Sequence, residues 1–172
     1  MSRITTLSLE QSTDATRPLL EGMQKKIGFL PNVFKTLARA PAVLTAYLQH
    51  SVALGATSLS AKEKEAIFLA TSQVNGCDYC LAAHTLFAGK AGLSAQEILS
   101  ARDGQLNAFS VLARQITESR GHLKSEQLEA ARTAGIDDAK IIEVIAHVAS
   151  QTLTNYLNNV ALTEIDFPAI DA

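Results

Sequence analysis

The chain has 172 residues, enough for one domain of ordinary size that folds without disulfides or metals. Its 15 basic and 17 acidic side chains form no basic stripe or charge block, which argues against nucleic acid as a partner. The amino terminus lacks a signal-peptide core, and no apolar run approaches the roughly 18 residues of a membrane span. We therefore expect a cytoplasmic protein that makes no contact with a membrane.

Helical signals begin near the amino terminus, and no stretch predicts a strand. Pro18 suits a first helical position, and Gly28 suits the stop of the same helix. The stretch "FLPNVFKTLARAP" predicts a short helix from about Asn32 and a second helix from Pro41 to Gly55. Three helices are thus expected before residue 56.

Two capping boxes mark helix starts in the middle of the chain, Ser60 with Glu63 and Ser94 with Glu97. The first box predicts a helix that runs to about Val74 and ends at Asn75 and Gly76. The next helix should begin at Gly76 or Cys77 and fade between residues 89 and 92.

Three more helices are expected after residue 105. An amphipathic helix is marked by Leu106, Phe109, Leu112, Ala113 and Ile116. A shorter helix should run from Ser125 to Ala134, and Asp137 should cap the last one. That last helix carries enough apolar residues for a central or interface position, namely Ile141, Val144, Ile145, Val148, Tyr156, Leu157 and Val160. With an extended tail interrupted by Pro168, the chain reads as one all-α domain over residues 1–172.

The stretch "NGCDYCLAAH", residues 75–84, holds the two cysteines of the chain and one of its four histidines. Residues three and four apart are neighbours on a helix, so Cys77 should face Cys80, and Cys80 should face His84. In a reducing compartment such a pair is more often catalytic, redox-sensing or metal-binding than a permanent crosslink.

The spacing alone does not decide which sulfur is the nucleophile. The positive end of the helix dipole acts most strongly on Cys77, whereas the imidazole of His84 stands one turn from Cys80. Either influence stabilises a thiolate, which is the reactive form of cysteine.

Simpler interpretations compete with redox chemistry. The two cysteines could be small buried residues without function, and with His84 they could supply three zinc ligands, although no fourth ligand is evident. Thioredoxin-like chemistry on its usual fold is excluded because the strands are absent. Glu65 could be a solvated carboxylate, but it precedes a mostly apolar run, so we expect it to point inward and need a partner. We assign no chemistry to the other histidines, with His122 in a loop and His50 and His147 packing between helices.

Glu65, Cys77 twelve residues later and the C-x-x-C-x-x-x-H pattern resemble the alkylhydroperoxidase D-like branch of the carboxymuconolactone decarboxylase family. The stretches "IGFLPNVFKTLARAP" and "TNYLNNVALTEIDFP" are similar to its peroxidase-related subgroup. The resemblance implies a single-domain helical bundle and homo-oligomers, whether dimer, trimer or hexamer.

The resemblance also implies residue roles. Cys80 would attack the peroxide, Cys77 would resolve the sulfenic acid, and Glu65 with His84 would relay the proton. The best-studied relatives carry a further histidine where this chain has Tyr79.

These observations favour a thiol peroxidase that reduces an organic hydroperoxide or hydrogen peroxide and is reset by an external dithiol, without metal or organic cofactor. One rival is a decarboxylase-type reaction with Glu65 or His84 as general acid or base, which would leave the cysteines idle. The other is a redox-sensing oligomer without turnover.

Overall fold

The computed structural model describes residues 2–167, and every regular element in that range is a helix. In chain order the helices are α1 (Arg17–Ile27), α2 (Asn32–Leu37), α3 (Pro41–Gly55), α4 (Ala61–Val74), α5 (Asp78–Lys90), α6 (Ala95–Arg102), α7 (Ala108–Ser119), α8 (Ser125–Thr133) and α9 (Asp138–Ala161). The predicted all-α class is therefore confirmed for the described part of the chain.

Local hydrogen bonds explain most of the helix boundaries. Both predicted capping boxes form, since the serine side chain accepts from the glutamate N–H while the glutamate carboxylate accepts from the serine N–H. Asp137 caps α9 by accepting from the N–H of Lys140 at 2.9 Å. Gly28 ends α1 in the left-handed region with φ of 97°.

Four boundaries differ from the prediction. Helix α5 begins at Asp78 rather than at Gly76 or Cys77, and α8 ends at Thr133 rather than at Ala134. Leu106 lies before α7 rather than in it, because Asn107 caps that helix and accepts from the N–H of Ser110 at 3.0 Å. Helix α1 begins at Arg17, one residue before Pro18. The tail residues 163–166 form no helix, and Pro168 lies outside the described residues.

Helix α4 lies at the centre of the arrangement and packs against α5, α6, α7 and α9. Two apolar clusters include residues of α4, one where it meets α7 and α9 and one where it meets α5 and α6. A third cluster joins α1, α2, α3 and α5. The last of these contains both cysteines. None of the described helices is long and apolar enough to cross a membrane.

Candidate active site

The turn between α4 and α5 places the two cysteines. Gly76 adopts φ of 60°, and the N–H of Cys77 donates back to the carbonyl of Ser72 at 3.0 Å. Cys77 is the N-cap of α5, and its sulfur accepts from the N–H of Cys80 at 3.3 Å. The predicted position of the cysteines in a first helical turn is confirmed.

The structure joins Cys77 and Cys80 in a disulfide, with their Cα atoms 5.3 Å apart. Both residues are buried, with exposed fractions of 0% and 3%. The sulfurs therefore lie inside the protein, in the apolar cluster formed with residues of α2, α3 and α5 and with Phe167.

Glu65 on α4 and His84 on α5 are joined by a hydrogen bond, with Oε2 and Nδ1 2.8 Å apart. Their side chains are 15% and 17% exposed, and the ring of Phe68 lies 4.7 Å from the imidazole between centroids. A carboxylate on Nδ1 favours the tautomer with the proton there and leaves Nε2 as the basic nitrogen. The side chain of Glu65 therefore points inward, as predicted, and its hydrogen-bond partner there is His84.

The side chain that contacts the sulfur of Cys80 is Asn158 of α9, whose Nδ2 donates at 3.3 Å. His84 bonds to Glu65 and makes no hydrogen bond to either sulfur among residues 2–167. The structure thus brings the four predicted residues to neighbouring positions on α4 and α5 and adds a fifth from a distant helix.

Asn158 belongs to a row of amide side chains on one face of α9. Gln151 and Asn155 donate to the Ser72 hydroxyl at 2.9 and 3.2 Å, and Asn159 donates to the Asn75 carbonyl at 2.8 Å. Sequence reasoning followed the apolar residues of this helix and missed the amides, although their spacing of four, three and one residues places them together on a helix. The row fastens α9 to the turn that carries the cysteines.

Tyr79, the residue before Cys80, makes its hydrogen bonds to other partners than Glu65 and His84. Its hydroxyl accepts from the N–H of Val33 at 3.1 Å and donates to Asp166 at 2.8 Å. Burial, with the nearby Asp166 carboxylate, raises the pKa of the phenol well above its usual value. Tyr79 is therefore a neutral donor that ties α5 to the tail.

The remaining histidines are only partly as expected. His147 is buried and its Nδ1–H donates to the Glu143 carbonyl at 2.8 Å, and His122 lies in the loop before α8. His50 is exposed on α3, so its predicted packing role is wrong. Within residues 2–167 no three histidine, cysteine or acidic side chains are grouped to hold a metal ion.

Comparison with known proteins gives one family-model match over part of the chain and several structures with the same fold. Residues 39–107 match the model of the carboxymuconolactone decarboxylase family. A search of curated proteins finds no match.

Three solved structures share the fold. A peroxidase-related protein with an alkylhydroperoxidase core from Ralstonia eutropha JMP134 is 25% identical with a TM-score of 0.84, over 96% of this chain and 92% of that one. A peroxidase-related protein from Silicibacter sp. TM1040 is 24% identical with a TM-score of 0.79, over 94% and 92%. A cysteine-to-alanine variant of the debrominase Bmp8, in complex with 2,3,4-tribromopyrrole, is 21% identical with a TM-score of 0.80, over 96% and 92%.

Proposed function

Because residues 39–107 match the model of the carboxymuconolactone decarboxylase family and the fold is like that of an alkylhydroperoxidase core, we propose that this chain is a thiol-dependent peroxidase. The observation that carries the proposal is the pairing of Cys77 with Cys80 in the first turn of α5, beside the Glu65–His84 contact. A disulfide closed at a helix start next to a hydrogen-bonded acid and imidazole suits a bond that opens and closes during turnover.

The proposed cycle has three balanced steps. The Cys80 thiolate attacks the terminal oxygen of a hydroperoxide, the O–O bond breaks, and one proton is taken up, which yields Cys80 sulfenic acid and an alcohol. The Cys77 thiol then attacks that sulfur, so that a disulfide forms and water leaves. An external dithiol of the cytoplasm reduces the disulfide and becomes a disulfide itself.

Each of the four residues has a role in this cycle. Cys80 is the attacking cysteine and Cys77 the resolving one. Neutral His84, with its Nδ1–H held by Glu65, can take the thiol proton at Nε2 and return it to the departing alkoxide. Glu65 stabilises the imidazolium that forms between these two events.

The rival functions use fewer of these features. A decarboxylase-type reaction would use Glu65 or His84 and give the disulfide no task. A redox sensor would use the disulfide and give the Glu65–His84 pair no task. The peroxidase proposal accounts for both features at once.

The test is repeated consumption of cumene hydroperoxide by purified protein with excess dithiothreitol, measured above the protein-free reaction. We expect many turnovers for the wild type and none for Cys80→Ser. Cys77→Ser should consume one peroxide per site and leave sulfenic acid on Cys80, detectable with a dimedone-type trap and mass spectrometry.

Other outcomes would redirect the assignment. Free thiols after excess peroxide would overturn the peroxidase proposal, and a single oxidation that changes assembly without turnover would support a redox sensor.

A further inference from the structure

Asn158 is buried in the last turns of α9 and touches the reacting sulfur from outside the cysteine motif. Its exposed fraction is 4%, and its Nδ2 lies 3.3 Å from the Cys80 sulfur, 78 residues away in the chain. A primary amide in such a position has one task visible in the structure, which is to donate a hydrogen bond to sulfur.

The chemistry of the disulfide fixes the orientation of this amide. A disulfide sulfur carries no hydrogen, so only the NH₂ end of a carboxamide can bond to it. The other end, Oδ1, is then buried and makes no hydrogen bond among residues 2–167. Since buried polar atoms are nearly always paired, an acceptor left open beside a reactive sulfur points to a group that arrives during the reaction.

The surrounding structure holds Asn158 in place. Its carbonyl accepts the N–H of Leu162 and that of Thr163, which closes the end of α9. Asn155 and Asn159, on the same face, bond to the segment just before Cys77. The amide is therefore placed before the reaction and does not need to move toward the sulfur.

We propose that Asn158 is a further catalytic residue of the peroxidase reaction, an inference that rests on the proposed function. Its N–H groups stabilise the Cys80 thiolate, and its Oδ1 accepts the O–H of the incoming hydroperoxide. A hydrogen bond to an ionised group is stronger than one to a neutral group, and the sulfur is buried, so water does not replace the lost donor. In this proposal Asn158 transfers no proton, and proton transfer is carried out by Glu65 and His84.

The decisive measurement is the ionisation of Cys80, which needs no peroxide. In a Cys77→Ser background Cys80 is the single cysteine, and serine keeps the N-cap. The thiolate is titrated by its absorbance at 240 nm and by the pH dependence of its alkylation with iodoacetamide. We expect Asn158→Leu to raise the pKa of Cys80 by about one unit or more, which leaves about tenfold less thiolate at neutral pH. Asn158→Asp should raise it at least as far, because a carboxylate repels the thiolate.

Asn159→Leu is the matched control. It removes an equivalent amide hydrogen bond from the same helix, but one made to the Asn75 carbonyl and not to sulfur. It should lower the melting temperature and leave the pKa of Cys80 unchanged. If Asn158→Leu does not fold by circular dichroism, Asn158→Ala removes the same donor with a smaller side chain.

The outcomes separate this inference from the proposed function. An unchanged pKa of Cys80 in folded Asn158 variants would overturn the inference even if the wild type is an active peroxidase. A raised pKa in a protein that does not react with peroxide would keep the amide as a thiolate-binding group and overturn the peroxidase proposal instead. An active wild type should lose single-turnover rate in Asn158→Leu most strongly at neutral pH.

Discussion

Glu65 and His84 are joined by one hydrogen bond, so we expect them to work as a single proton path to Cys80. Glu65→Gln and His84→Ala should each slow single-turnover reaction with peroxide about 10²- to 10⁴-fold near neutral pH, the usual range for acid-base catalysis. The double variant should lose little more than either single variant. Stopped-flow mixing with limiting peroxide measures these rates.

The pH dependence distinguishes proton transfer from damage to the fold. Both variants should recover part of the rate in alkali, where the thiol ionises without help, and Cys80→Ser should recover nowhere. Additive losses of rate in the double variant would contradict a shared proton path. A wild-type rate for Glu65→Gln at every pH would contradict it as well.

His147 should make the free energy of unfolding depend on pH. Burial lowers its pKa from 6.5, so the unfolded chain binds the proton more readily than the folded one. The contribution of neutral His147 to the free energy of unfolding is complete above pH 6.5. It is lost as the pH falls below that value, at up to about 1.4 kcal/mol per pH unit. Urea unfolding between pH 7.5 and 5 measures this slope.

His147→Asn is the matching variant, because its amide can still donate to the Glu143 carbonyl but does not titrate. Its unfolding free energy should fall less steeply below pH 6.5 than that of the wild type. Parallel curves for the two proteins would mean that another group sets the acid sensitivity.

At the scale of elements, the attachment of α9 to the α4–α5 turn depends on Ser72. Its buried hydroxyl accepts from both Gln151 and Asn155, so Ser72→Ala leaves two buried amides without their acceptor. We expect a loss of about 2 kcal/mol or more in unfolding free energy, measured by urea titration. Ser51→Ala, at an exposed position of α3, is the control and should stay within about 0.5 kcal/mol of the wild type.

The helices could be predicted because their signals are local. Capping at Ser60 and Ser94 uses residues three positions apart, and the disulfide of Cys77 with Cys80 joins residues of one helical turn. The contact of Asn158 with Cys80 could not be predicted in this way. It spans 78 residues, and it exists only because packing against α4 fixes the rotation of α9 about its own axis.

At the scale of the whole molecule, α9 has two apolar sides. The inner side, with Ile141, Val144 and Val148, is buried in the cluster shared with α4 and α7. The outer side is an exposed stripe at spacings of three, four and seven or eight residues, made of Ile142, Ile145, Leu153, Tyr156 and Val160. An apolar groove between α3 and α9, which Val43 and Leu153 help to line, adjoins it.

We expect this stripe to be covered by a second copy of the chain, since exposed apolar faces of this length mark interfaces. Light scattering at micromolar concentration should then give a mass above that of one chain. Tyr156→Glu and Val160→Glu should shift the mass toward the monomer, because a carboxylate would be buried in the interface. Gln24→Glu adds the same charge at an exposed position of α1 and should not change the mass.

The hydrogen bond between Tyr79 and Asp166 attaches the segment around residue 166 to the helix that carries Cys80. Asp166 also accepts the N–H of Asn32 at 2.7 Å, and the Phe167 ring packs against Phe29, Tyr79 and Phe87 at centroid distances of 5.3 to 5.9 Å. These contacts hold residues 166 and 167 in the cluster that contains the disulfide. Loss of these contacts should therefore loosen the apolar cluster in which the two cysteines are buried.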